Sequence, residues 1–237
     1  MSELSQVSLR GVSIDAANVA AEARFWSELL GWSAQPVPDG SVTLVPSGGS
    51  AYVVMIQPAD TAKVGPNKIH FDLTSDSREA MAASVQRGVA AGGRLIDIGQ
   101  TAEEGHEVLA DPEGNELCII EPGNRFLAGT GTIGAINCDG SQALGYFWSA
   151  ALGWPLVWDQ DQETAIQSPA GGSKIAWSGP PLMPRYERDR LRLVVGTADL
   201  ARARTALSAL GATEIDATTM RDPDGNEFTL TEVLRAS

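Results

Sequence analysis

The sequence predicts an α+β chain of two tandem domains, residues 6–123 and 130–234, each built from two βαβββ units forming a cupped mixed sheet with helices outside. Three observations carry this expectation. First, the chain repeats itself: Phe25-Trp26-Ser27 and Leu30-Gly31-Trp32 return as Phe147-Trp148-Ser149 and Leu152-Gly153-Trp154, a shift of 122 residues. A fixed shift between ordered matches is the mark of a repeated structural unit. Second, Asp111-Pro112-Glu113-Gly114-Asn115-Glu116 returns as Asp222-Pro223-Asp224-Gly225-Asn226-Glu227 near the end of each copy. Third, within each copy a strand-then-helix pattern starts twice.

The elements of copy one follow in order. Val7 to Ile14 alternates in polarity, as a half-buried strand does. Asn18 to Leu30 carries apolar residues at helical spacing, with Asn18 placed to cap its start and Gly31 to stop it. Short strands are expected at 33–38, 41–45 and 51–57, divided by Asp39-Gly40 and Ser47-Gly48-Gly49 turns. The pattern restarts with a strand from Lys68 to Leu73 and a helix from Ser77 to Ala91, capped by Asp76 or Ser77. Strands at 94–98, 107–110 and 115–120 complete the unit. In the hairpin, proline presets φ and glycine accepts the positive φ that closes the turn, so Asp111, Pro112, Gly114 and Asn115 serve architecture. Copy two is shorter; it lacks a counterpart of the polar stretch from Gly99 to Val108, which holds His106. The join, Pro122 to Gly131, has the glycine content of a linker.

Composition excludes some functions. A net charge of −13 disfavours phosphate backbones and anionic membranes, so neither nucleic acid nor membrane is an expected partner. Two cysteines, Cys118 and Cys138, are too few for a disulfide framework and suit a reducing cytoplasm. The first ten residues lack a signal-peptide core, and no apolar run reaches the length of a membrane span.

The doubled strand–helix–three-strand pattern, with Phe-Trp…Leu-Gly-Trp after the first helix and Asp-Pro-x-Gly-Asn-Glu before the last strand, resembles the vicinal oxygen chelate superfamily. That superfamily includes glyoxalase I, extradiol dioxygenases, fosfomycin-resistance enzymes and bleomycin-resistance proteins. Ile69-His70-Phe71-Asp72-Leu73 resembles its glyoxalase-like members. The resemblance implies cupped sheets that hold a divalent metal or, in metal-free members, a bulky ligand. It also implies metal ligands on the first, fourth and fifth strands, and on the last strand seven residues past the hairpin aspartate. In this sequence those positions fall at Gly11 and Ile133; near Met55 or Gln57, and Trp177 or Ser178; at His70 and Arg192; and at Cys118 and Thr229. Copy one keeps one clear ligand, His70. Copy two keeps none, because a guanidinium cannot ligate a cation.

Strand parity adds to this reading. Gly11, Ser13 and Asp15 share one face of the first strand, His70 and Asp72 one face of the fifth, and Glu116 and Cys118 one face of the last. If those faces all line the cup, copy one presents Asp15, His70, Asp72, Glu116 and Cys118. Copy two offers Asn137, Arg192, Val194, Glu227 and Thr229, a set that suits an anion or an Arg192–Glu227 salt bridge. His70 and Asp72 are the candidate catalytic pair; the bland reading of His70 is a satisfied structural histidine. His106 belongs to a lid or to a solvated loop. Cys118 reads as inert packing more readily than as a nucleophile. Trp158 and Trp177, which lack a tryptophan in copy one, line an apolar cup or pack the core.

The expected function is a small-molecule-binding protein of the glyoxalase/bleomycin-resistance type, holding a small organic ligand without a metal cofactor. The alternative is a metal-dependent lyase, isomerase or dioxygenase-like enzyme with a divalent ion at His70 in the copy-one cup. A regulatory scaffold is a third reading. The expected assembly is an intramolecular pseudo-dimer, with a homodimer left open.

Overall fold

The computed structural model describes residues 7–47, 52–60, 63–101, 104–184 and 188–233. The expected turn at Gly48-Gly49 and the first residue of the strand expected at 51–57 lie outside those residues. Four βαβββ units follow one another. The first holds β1 (Ser8–Ala16), α1 (Val19–Leu30), β2 (Ser33–Pro36), β3 (Val42–Val45) and β4 (Val53–Pro58). The second holds β5 (Ile69–Leu73), α2 (Arg78–Ala90), β6 (Arg94–Leu95), β7 (Glu107–Ala110) and β8 (Glu116–Ile119). Copy two repeats this with β9 (Ile133–Cys138), α3 (Gln142–Leu152), β10 (Leu156–Gln160), β11 (Glu163–Gln167) and β12 (Lys174–Trp177). The last unit is β13 (Leu191–Thr197), α4 (Leu200–Ala209), β14 (Thr213–Glu214), β15 (Thr219–Arg221) and β16 (Glu227–Glu232).

The helix ends follow from their residues. The Asn18 side chain accepts the Ala21 N–H at 3.1 Å, and the Ser77 hydroxyl accepts that of Ala80 at 3.1 Å. α1 and α3 both end on a left-handed glycine, Gly31 and Gly153, each at φ 68°. Only a residue without Cβ adopts that conformation at little cost.

The strands form two eight-stranded mixed sheets. Sheet one runs β14-β15-β16-β13-β1-β4-β3-β2, and sheet two β10-β11-β12-β9-β5-β8-β7-β6. The α+β class with cupped mixed sheets is therefore as expected, but the pairing crosses the repeats. Sheet one joins the first unit to the fourth through antiparallel β1 and β13; sheet two joins the second to the third through antiparallel β5 and β9. Each sheet thus draws one unit from each copy, and the chain makes its pseudo-dimer within itself.

The two units of one copy are tied by their hairpin instead. Trp26 of α1 donates its indole N–H to Asp111 at 3.2 Å, and the Asn18 N–H reaches Glu113 at 2.8 Å. In copy two, Trp148 donates to Asp222 at 3.4 Å and the Ser141 N–H to Asp224 at 2.6 Å. The variable position of Asp-Pro-x-Gly-Asn-Glu is thus acidic in both copies and meets the N-terminal end of a helix, where negative charge is favoured. Trp26 also meets Phe71 of sheet two edge-on at 5.2 Å, and Trp148 meets Phe228 of sheet one at 5.1 Å. α1 and α3 therefore pack between the sheets in one shared core, and the other face of each sheet turns away from it. No helix among the described residues is long and apolar enough to cross a membrane.

Candidate functional site

The faces turned away from the core carry the polar side chains, and the two sheets use them differently. On sheet one, a cross-strand row runs Gln35–Thr43–Met55–Ser13–Arg192. Arg192 is fully buried, and its guanidinium grips Asp15 with both ends, Nη2 to Oδ1 at 2.6 Å and Nη1 to Oδ2 at 2.9 Å. Nη1 also donates to the Asp189 carbonyl, and Arg188 Nε approaches the same carboxylate at 3.5 Å. Arg190 donates to the Asp15 carbonyl at 2.8 Å and to Glu113 at 3.1 Å. Such a bidentate pair uses the donors that an anion would need.

Several expectations are corrected here. Asp15 does not join the cluster around His70, because β1 pairs with β13 and not with β5. Arg192 does not bridge to Glu227; Asp15 takes it, while Glu227 meets Arg221 at 3.4 Å and its backbone N–H donates to Asp189 at 2.7 Å. Asn137, grouped by copy with Arg192, lies on the other sheet.

On sheet two, one row runs Trp158–Ala165–Ala176–Asn137–His70 and a second Val108–Cys118–Asp72–Ala135–Lys174. Cross-strand neighbours share a face, so these side chains line one surface. Three alanines, Ala135, Ala165 and Ala176, form its middle. At one end Trp158 packs edge-on to Phe126 of the linker, with ring centres 6.0 Å apart, and its buried indole N–H has no acceptor among the described residues. Lys174 lies over the Phe126 ring at 4.3 Å and donates to its carbonyl. The linker therefore forms part of the cup wall.

At the other end His70, Asp72 and Cys118 converge. His70 Nε2 lies 3.4 Å from Asp72 Oδ1, and one potential ligand atom from each of the three residues lies within 4.8 Å of the others. The His70 side chain is 26% exposed and so faces the cup. Burial pushes its pKa down, but hydrogen bonds and negative charge from Asp72 and Cys118 outweigh burial and raise it to about 10. Asn137 donates to Asp72 at 3.5 Å and accepts from the Ser178 hydroxyl at 3.0 Å.

The remaining candidates are placed as follows. Glu116 is held by Lys63 and by the Asn67 N–H at 3.3 Å, so the connector between the first two units covers it. His106 lies just before β7, partly buried, with Nε2 3.9 Å from Glu104. Trp177 does not line a cup: it is 1% exposed and belongs to the shared core. Its neighbour Ala176 faces outward in its place.

The metal that the resemblance implies can be tested against these residues. Sheet one does not fit, since Arg192 and Met55 stand where ligands belong. Sheet two offers a nitrogen, an oxygen and a sulfur in one place, the number that a three-ligand open zinc-type site uses. There Asp72 and Cys118 join His70, as strand parity groups them, while Asp15 and Glu116 do not.

Sequence reasoning missed Phe126, Lys174 and the alanine floor. An aromatic residue inside a glycine-rich linker was the available signal for the first. It also missed Glu22, fully buried on α1, whose Oε1 accepts the Trp26 indole N–H at 2.8 Å. Burial, and then the neighbouring Asp111, hold the Glu22 carboxyl far above the usual carboxylate range. Copy two has Leu144 at the matching position.

Residues 11–120 and 134–231 each match the family model of the glyoxalase-like domain. Comparison with curated protein sequences gives no match. Among solved structures, glyoxalase I from Zea mays is similar with a TM-score of 0.67 and 13% identity, over 94% of this chain and 92% of that one. A candidate dioxygenase from Bacillus subtilis is similar with a TM-score of 0.62 and 14% identity, over 97% of this chain and 86% of that one. At such identities the likeness shows a common fold.

Proposed function

The chain belongs to the glyoxalase-like domain family, which its two matched regions establish, and we propose from that premise that it is a small-molecule-binding protein whose working site is the cup of sheet two. The observation that carries this reading is the row Trp158–Ala165–Ala176–Asn137–His70, which sets an indole, a floor of methyl groups and a polar end on one face. Ligand sites are built in this way, largely apolar with a few polar groups that fix orientation. The indole end suits a flat apolar ring, and His70, Asp72 and Asn137 suit a polar substituent on it. Sheet one serves as the structural partner, its polar face occupied by the Asp15–Arg192 pair.

A second reading is favoured by the convergence of His70, Asp72 and Cys118: a divalent cation held there would polarise a bound carbonyl or hydroxyl. One experiment separates the two. Metal content is measured after purification without chelator, alongside a titration of tryptophan fluorescence with small aromatic acids and amides. Binding without stoichiometric metal supports the metal-free reading. Stoichiometric metal that disappears in His70→Ala replaces it with the metal-dependent one. No binding by any probe, with or without metal, removes both.

A further inference from the structure

Cys118 is one of two thiols in the chain, and the two differ in surroundings. Cys118 stands on the cup face of β8, directly across from Asp72 on β5 and beside Val108 on β7. Both thiols are buried, but Cys118 lies outside the core cluster that holds Cys138. Its Sγ lies within 4.8 Å of ligand atoms of both His70 and Asp72. Asp72 in turn meets the His70 ring at 3.4 Å and orients it. Nucleophile, proton-carrying imidazole and orienting carboxylate are thus in hand, the parts that activate a thiol. Cys138 sits on β9 with the opposite parity, is 4% exposed and is packed into the shared core. Burial pushes its thiol well above the ordinary range, which makes it a poor nucleophile.

We propose that Cys118 captures soft carbon electrophiles conjugated to a carbonyl, with His70 carrying the proton. This deepens the proposed function and rests on it, since the electrophile must first enter the sheet-two cup. The step is an addition that needs no oxidant or reductant. Sulfur forms a bond to the β-carbon while the C=C π electrons move toward the carbonyl and give an enolate. The protonated His70 ring gives its proton to the α-carbon and takes the proton released from sulfur in exchange, so S–H has been added across the double bond and His70 is restored. Trp158 and the alanine floor supply the apolar surface for the carbon skeleton, and Asp72 holds the imidazole in place without touching the electrophile.

The test uses N-ethylmaleimide on the full chain, read by intact mass and by peptide mapping over time. Cys118 is expected to label at least about tenfold faster than Cys138, and His70→Gln to slow Cys118 by about a hundredfold, the low end for loss of a positioned proton-transfer group. Cys118→Ser is expected to remove the fast adduct. Slow labelling of Cys138 serves as the check that each variant is folded; if His70→Gln fails it, Asp72→Asn is judged by the same criterion, with a smaller slowing expected. Equal rates at the two thiols, or a folded variant that labels as fast as wild type, overturn the proposal. N-ethylsuccinimide, the saturated analogue, separates this failure from failure of the binding reading. If it perturbs tryptophan fluorescence while Cys118 stays unreactive, the cup binds and the nucleophile fails. If it neither perturbs fluorescence nor protects a fast-labelling Cys118, the thiol is reactive without a cup, and the proposal falls with the reading it rests on.

Discussion

The two sheets have one topology and opposite uses for the face turned away from the core. In sheet one, position by position, a guanidinium stands where sheet two has an imidazole: Arg192 and His70 open equivalent strands. Arg192 is closed off by Asp15 and covered by the segment around 188–190. Among the described residues His70 meets Asp72 and Cys118, and it remains a quarter exposed. Side-chain size completes the contrast, with Met55 and Thr43 on the floor of one and Ala176 and Ala165 on the floor of the other. On the proposed function, duplication lets one copy of a surface become structural while the other takes the ligand. The sheets also share material, so this division runs between units and not between the repeats seen in the sequence.

Arg192→Ala attacks the structural side hardest. It leaves the buried Asp15 carboxylate without its partner, and urea denaturation is expected to show a loss of about 3–5 kcal/mol. Ligand binding at sheet two is expected to survive wherever the variant is folded.

Glu22→Gln tests an asymmetry between the copies. The folded-state pKa of Glu22 is raised above its unfolded value by burial and by Asp111. Its stabilising contribution is therefore full below the unfolded value near 4.5 and is lost as pH rises toward the folded one. Glutamine keeps the acceptor for Trp26 and supplies a permanent donor toward Asp111. The variant is expected to match wild type near pH 4.5 and to gain on it by about 1.4 kcal/mol per pH unit above that, from denaturation at pH 4.5 and pH 8. A constant difference across pH would show that the Glu22 carboxyl is not held neutral.

Trp158→Ala is expected to weaken any ring-bearing ligand by about tenfold or more, measured calorimetrically, because it removes the cup wall. Ala176→Met makes sheet two more like sheet one. It is expected to lower ligand affinity while shifting stability by only about 0.5 kcal/mol, since the added atoms enter the cup and not the core. Unchanged affinity would mean that the alanine floor is not where ligands lie.

Much of this architecture was legible before any coordinates. The repeat gave both copies. Asn18, Ser77 and Gly31 marked helix ends correctly because capping depends on local geometry. Strand parity placed His70, Asp72 and Cys118 on one face. What parity could not supply was the neighbour across each sheet, because a strand shows the same alternation whichever edge it joins. Parity therefore puts Asp15 beside His70 and leaves Arg192 to Glu227, whereas the sheets pair Arg192 with Asp15. Trp158 illustrates a second limit. The register shifts between Leu156, which pairs with Ile166, and Trp158, which pairs with Ala165, so an irregularity turns the indole outward against plain alternation. Trp177 stands next to the outward Ala176, and a one-residue difference in the assumed position reverses the face.

The division of labour between the sheets is tested most directly by mapping backbone amide chemical shifts while a small aromatic ligand is titrated in. Shifts confined to residues around His70, Asn137, Ala176 and Trp158, with Ser13, Asp15 and Arg192 unmoved, are the expected result. Saturable shifts centred on Ser13, Asp15 and Arg192, with the sheet-two residues still, would contradict it.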